Sequence, residues 1–232
     1  MNSSELDRIH REYSQDYRGF EQSPQHPWHF LNPLSIYYRH VQERLVSQFL
    51  RNIPLNLNEL QCLDIGCGFG GFIRFLASSG VDPRNIHGID ITPGRVSKAR
   101  SLAPASANLL LGDASHLPYL DACFALVSQF TVVSSIFEPA MRTRVCQEMQ
   151  RVLLPGGYLI WYDMYRTRSR SALAIHLPEI KRLFSKCQIL EVRRLHSLLS
   201  GRAASVSQLL SMLLDKIPGM RKTHYLILLK KR

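Results

Sequence analysis

The chain has 232 residues, 45% of them hydrophobic and 20% charged, with a formal net charge of +11. That length suits one α/β domain with an added flank and is short for two, and the apolar share suffices for a full core. No run approaches ~18 uninterrupted apolar residues, no apolar stretch follows a basic start, and Cys62, Cys67, Cys123, Cys146 and Cys187 form no C-x-x-C pair, so neither an integral membrane segment, a secretory leader, a zinc site nor a disulfide framework is expected, and a reducing cytoplasm fits.

Residues 1–57 read as helices and loops, a cap ahead of the main domain. Within them Ile36, Tyr37, Val41, Leu45, Val46 and Phe49 fall near helical spacing between Pro33 and Pro54, which predicts a helix over 36–50. A regular alternation then begins. Strands are predicted over 60–65, 85–91, 108–111, 123–130 and 158–162. Helices are predicted over 71–79, stopped by Gly80, over 94–103, with Thr92 as N-cap and Pro93 first, and over 140–154, stopped by Pro155-Gly156-Gly157. Residues 186–195 and 224–229 read as two further strands closing one sheet edge, with 198–217 mostly helical between them. The pattern predicts an α/β fold: a seven-stranded, mainly parallel, doubly wound sheet with helices on both faces. On this reading 58–232 form a Rossmann-like domain, and 163–222 are a substrate-side insertion.

The chemistry concentrates in LDIGCGFGG at 63–71, which leaves a strand and opens a helix. Gly66, Gly68 and Gly71 satisfy G-x-G-x-x-G, which by itself says only that the backbone turns tightly and a ligand comes close. Asp64 ends the first strand, where a carboxylate would repel a pyrophosphate and suits a cationic ligand. Asp90 ends the second strand, placed to accept from ribose hydroxyls, and Asp113 ends the third, placed to accept from an adenine amino group. Three acids ending successive parallel strands share the carboxyl edge of the sheet, where ligands bind.

These residues resemble the class I, Rossmann-like S-adenosylmethionine-dependent methyltransferase family. The match runs in order through LDIGCGFGG at 63–71, GIDIT at 88–92, GDASHLPY at 112–119, FALVSQF at 124–130 and EMQRVLLPGGYLIWYD at 148–163. In detail it is similar to small bacterial members of the ubiquinone/menaquinone-methylase kind. The resemblance implies methyl transfer from S-adenosylmethionine to a small organic acceptor, with O-methylation favoured over C- or N-methylation. It implies that Asp64, Gly66 and Gly68 hold the methionine part of the cofactor. Asp90 would take the ribose, Ile91, Asp113 and Ala114 the adenine, and Gln129 would lie beside the methyl donor. Tyr13, Tyr17, Tyr37 and Tyr38 would form a lid. Related sequences often carry a histidine just after the fourth strand, where this chain has Val133-Ser134, and Asp163, Tyr162 and His116 are the substitutes expected for a base. The alternatives are an NAD-dependent oxidoreductase sharing the glycine pattern, a cyclase using the same cofactor, and a non-catalytic binding protein.

No cluster of His, Cys and acid has ligand spacing, so no metal is expected. Up to Met141 the chain holds 11 Lys and Arg against 13 Asp and Glu, and from Arg142 onward 18 against 5. A net of −2 is thus followed by +13, a field that attracts anions. An anionic acceptor or peripheral contact with an acidic membrane follows from it. Nucleic acid is disfavoured, because no aromatic residues interleave the basic cluster around Arg193, Arg194, Arg202, Lys216, Arg221 and Lys222.

Overall fold

Apolar residues on alternating positions of the strands at residues 62–65, 86–90, 124–130 and 153–164 face opposite sides of one sheet. The computed structural model describes residues 3–232, and the side chains of all of these except residues 3, 4, 16, 17 and 21. The strands are β1 (Cys62–Ile65), β2 (Ile86–Asp90), β3 (Asn108–Leu111), β4 (Phe124–Phe130), β5 (Leu153–Met164), β6 (Cys187–Ser197) and β7 (Lys222–Lys231). They form a seven-stranded sheet in the order β3-β2-β1-β4-β5-β7-β6. The first five pair in parallel, and β7 inserts antiparallel between β5 and β6. The predicted sheet and its closing pair of strands are both present.

The helices are α1 (Ser3–Gln22), α2 (Pro33–Asn52), α3 (Gly71–Ser78), α4 (Pro93–Leu102), α5 (Pro139–Val152), α6 (Leu177–Leu183), α7 (Leu198–Ala203) and α8 (Gln208–Leu214). On one face Leu63, Ile65, Val127, Leu159 and Trp161 pack against Met141, Val145 and Met149 of α5 and Ile180 of α6. On the other, Cys62, Ile86, Leu126 and Ile160 pack against Val41, Val46 and Phe49 of α2 and Ile73 and Leu76 of α3. The order reverses between β1 and β4, so the crevice for a ligand opens at the carboxyl ends of these two strands.

Four local details differ from expectation. β5 starts at Leu153 and absorbs Pro155-Gly156-Gly157 as an irregularity opposite Phe124 to Leu126, rather than starting after it. Residues 198–217 are two short helices, because Ser197 caps the first in a reciprocal capping box with Ser200 and Ser207 starts a second by accepting from the Leu210 N–H. Helix α6 carried no sequence-based expectation. Thr92 is the N-cap of α4 by backbone, with Pro93 first, but its hydroxyl makes no cap hydrogen bond.

Candidate active site

The β1–α3 loop owes its path to three left-handed glycines, Gly66 (φ 65°), Gly68 (φ 53°) and Gly70 (φ 71°). Gly71, the third glycine of the sequence pattern, has an ordinary conformation at the first position of α3. The Gly66 and Cys67 N–H groups donate to the Ile89 carbonyl at 2.7 and 3.0 Å, which ties the loop to β2. A Cβ built on Gly66 would lie 2.2 Å from Val132 Cγ2, so the loops after β1 and β4 touch where glycine removes the side chain.

The three acids converge around this loop. Asp64 is buried, and its Oδ1 accepts from Ser128 Oγ at 2.7 Å. Burial, eased by that hydrogen bond, pushes its carboxyl up to about 7. Asp90 Oδ2 accepts from the Gly68 N–H at 2.9 Å, and its Oδ1 from the Thr92 N–H at 2.8 Å. Asp113 shapes its own turn, accepting from the Ser115 N–H at 2.8 Å and from Ser115 Oγ at 2.7 Å.

Two cavities meet here. The larger, about 490 Å³, is lined by Gly66, Gly68, Asp90, Ile91, Asp113 and Ala114, and by Ile136, Met141, Val145 and Met164 further in. The smaller, about 210 Å³, is lined by Asp64, Gly66, Tyr38, Arg39 and Arg74. Trp28, Gly66, Phe69 and Phe130 line both. The two adjoin at the glycine loop. All the expected cofactor residues except Gln129 line one or both of them.

Helix α1 closes the larger cavity. Glu5 Oε1 accepts from the Phe137 N–H at 2.5 Å, and Arg8 Nη2 donates to the Ser135 carbonyl at 2.5 Å. Tyr13 lines the cavity with Arg95 4.5 Å over its ring, and Glu12 lines it as well. Of the other expected lid tyrosines, Tyr38 lines the smaller cavity. Tyr37 is buried with its hydroxyl on Asp215. The side chain of Tyr17 lies outside the described residues.

The geometry does not bring the residues expected as bases to the cavity. Tyr162 and Asp163 are consecutive in β5, so their side chains leave opposite faces of the sheet and cannot share one site. Tyr162 stacks on His224 at 5.0 Å in the α2-side core. Asp163 is buried, with Oδ2 taking the Ser134 N–H at 3.0 Å and Oδ1 the Met164 N–H at 2.8 Å. Burial pushes its carboxyl up to about 6. Ser134 and Met164 line the cavity, so Asp163 acts as a brace behind the wall. The His116 side chain is 58% exposed, with Nδ1 2.9 Å from Ser115 Oγ, and lines neither cavity. Gln129 is fully buried, donating to the Tyr162 carbonyl at 3.1 Å and accepting from the Val132 N–H at 2.9 Å. It fixes the loop after β4 from within.

That loop carries functional residues that composition and periodicity did not single out. Thr131 has φ 58°, a strained conformation for a β-branched residue, and lines the cavity. Trp28 and Arg95 likewise had no motif to mark them.

Asp64 makes the site pH-sensitive. If its carboxylate faces a cationic ligand, binding draws its proton off. Affinity for such a ligand is therefore expected to rise by up to about tenfold per pH unit towards pH 7 and to level above it. Calorimetry across pH 5.5–8.5 in buffers of different ionisation enthalpy would show proton release near pH 6, and Asp64→Asn would remove it. A flat profile in the unsubstituted chain would separate Asp64 from the ligand's charge.

Residues 63–161 match the methyltransferase domain family. The chain is 32% identical to the biotin biosynthesis bifunctional protein BioHC of Cellvibrio japonicus over 50% of its own length and 22% of that protein's. It is 29% identical to a ubiquinone biosynthesis O-methyltransferase of Cereibacter sphaeroides over 64% of its own length and 59% of that protein's. In both cases it spans less than two thirds of the relative. In structure it resembles magnesium protoporphyrin IX methyltransferase of Synechocystis, solved with bound SAH, with a TM-score of 0.69 and 13% identity over 98% of each chain.

Proposed function

We propose that the chain is a class I, Rossmann-like methyltransferase, supported by the methyltransferase-domain match at residues 63–161, and that it transfers a methyl group from S-adenosylmethionine to a small organic acceptor. The observation that carries the proposal is the convergence of Asp64, Asp90 and Asp113 on one left-handed glycine loop at the switch in strand order. The residues fit the cofactor: Gly66 and Gly68 bring side-chain-free, left-handed backbone to the cavity lining, and the acids match its ammonium, ribose and adenine amino groups. Asp64, Gly66 and Gly68 would hold the methionine part, Asp90 the ribose, and Ile91, Asp113 and Ala114 the adenine.

The bound cofactor supplies a methyl group on a sulfonium, with a neutral thioether as leaving group. The protein's part is then mainly positional. Holding an acceptor in line at attack distance accounts for roughly 7–11 kcal/mol in model reactions. Ile9, Ile136, Met141 and Val145 form an apolar wall that keeps water from the reacting atoms, and Ser134, Ser135, Ser169 and Ser171 offer hydroxyls to orient a polar head. This lining suits an acceptor with an apolar body and a hydroxyl or phenolate, and O-methylation is the favoured reaction. Arg95 on the wall supplies positive charge for an anionic acceptor. Gln129, Asp163 and Tyr162 position the wall without touching the acceptor.

Incubation with methyl-labelled S-adenosylmethionine and a panel of phenols, hydroquinones and carboxylic acids tests the proposal. Label should enter an organic product with release of S-adenosylhomocysteine. Among the described residues no group of three or more His, Cys, Asp or Glu is placed to hold a metal ion. Turnover should therefore persist in strong chelator. Loss of activity restored by magnesium or zinc would contradict a purely positional mechanism.

A further inference from the structure

The surface of α7 and α8 is the most apolar exposed area among the described residues. Val206 is 81% exposed, Leu209 67% and Leu213 52%, with Leu198, Leu199 and Ile217 also in solvent. The helices are nevertheless fixed in place. The Gln208 side chain donates to the Pro33 carbonyl at 3.1 Å, and the Tyr37 hydroxyl bonds to Asp215. The leucines are thus an outward face of a docked element. Along the same segment Arg202, Lys216 and Arg221 are exposed. Over residues 195–222 the single acid is Asp215, and its charge is taken up by Lys222 Nζ at 3.1 Å.

We propose that this face docks on an anionic lipid surface, leucines among the acyl chains and the arginines and lysine at the headgroups. An apolar face rimmed by basic residues is the composition that anionic bilayers hold. A second copy of the chain fits less well, since an isologous contact would set the same positive charges against one another. The docking orientation also serves the site. The loop with exposed Trp28 and Leu31 runs directly into α2 at Pro33, where α8 is bound, and Trp28 lines both cavities. A docked chain brings the mouth of the site to the bilayer, where an acceptor with an apolar body would be dissolved.

Co-sedimentation of the full chain with vesicles of phosphatidylcholine alone and of phosphatidylcholine with one quarter phosphatidylglycerol tests this. Binding is expected to the anionic vesicles only, and to weaken as salt rises from 0.1 to 0.5 M. Leu209→Asn with Leu213→Asn, and separately Arg202→Gln with Lys216→Gln and Arg221→Gln, should each lower the partition coefficient at least fivefold. These side chains are in solvent, and an unchanged circular dichroism spectrum would show the fold intact. An independent readout needs no variant. Trp161 is fully buried and Trp28 is 46% exposed, so brominated lipid should quench a large share of the emission through Trp28 alone. No binding to anionic vesicles, binding that neither variant set changes, or a leucine-dependent dimer without vesicle binding would each overturn the proposal.

Discussion

Gly66→Ala is expected to remove measurable S-adenosylmethionine binding and to lower the unfolding temperature by roughly 5–15 °C. Two costs combine at this position. At φ 65° an L-residue meets its own backbone, which costs on the order of 1–2 kcal/mol. The new Cβ would also lie 2.2 Å from Val132 Cγ2, and forcing atoms into a filled space costs about 1–3 kcal/mol. Relief has to come from shifting the loop after β1 or the one after β4, and both line the cofactor groove. Gly68→Ala is the control. At φ 53° it carries the backbone cost, but no atom lies nearer than 3.9 Å to its Cβ, so its effect should be smaller. Adding Val132→Ala to Gly66→Ala should recover part of the lost stability by removing the clash while leaving the backbone strain. Thermal unfolding and calorimetry on the four proteins would check the order, and a Gly66→Ala protein with unchanged affinity would refute it.

Asp90→Ala is expected to weaken cofactor binding by about tenfold or more. A charged acceptor that takes two ribose hydroxyls contributes roughly 1.5–3 kcal/mol per hydrogen bond. From the sequence alone the fold is expected to survive this change, since Asp90 lies at the edge of the sheet. The structure adds a cost in stability, because Asp90 also takes the Gly68 N–H and the Thr92 N–H, one from each loop that frames the groove. Its loss leaves two backbone donors without acceptors and should lower thermal stability even without ligand. Asp90→Asn, which keeps one acceptor oxygen, should lie between the two. Calorimetric affinities that leave Asp90→Ala within threefold of the unsubstituted chain would remove Asp90 from the ribose site.

The sheet was legible because buried strands and amphipathic helices leave periods of two and 3.6 residues in the apolar pattern. The residues that line the two cavities at the sheet edge were legible because acids and glycines sit together at strand ends, Asp64 and Asp90 within the last residues of β1 and β2 and Asp113 just after β3. The acceptor side was not, because a cavity wall is defined by residues far apart in sequence. Trp28 from the α1–α2 loop, Met141 from α5 and Ser169 from the loop after β5 share no pattern. Proximity in sequence misled in one place. Tyr162 and Asp163 are consecutive and both read as candidate bases, yet the alternation of a strand sends them to opposite faces of the sheet. The break between α7 and α8 was readable in principle, since Ser207 stands three residues before the Leu210 N–H that it caps. It was hidden by apolar residues continuing at helical spacing across the join.

On the proposed function, the groove at Asp64, Asp90 and Asp113 binds S-adenosylmethionine. Calorimetric titration of the purified chain with S-adenosylmethionine, S-adenosylhomocysteine and NAD tests it most directly. One site per chain is expected for the first two, both weakened by Asp90→Ala, with no saturable heat from NAD. Saturable NAD binding, or no binding of either adenosyl compound to a folded chain, would contradict it.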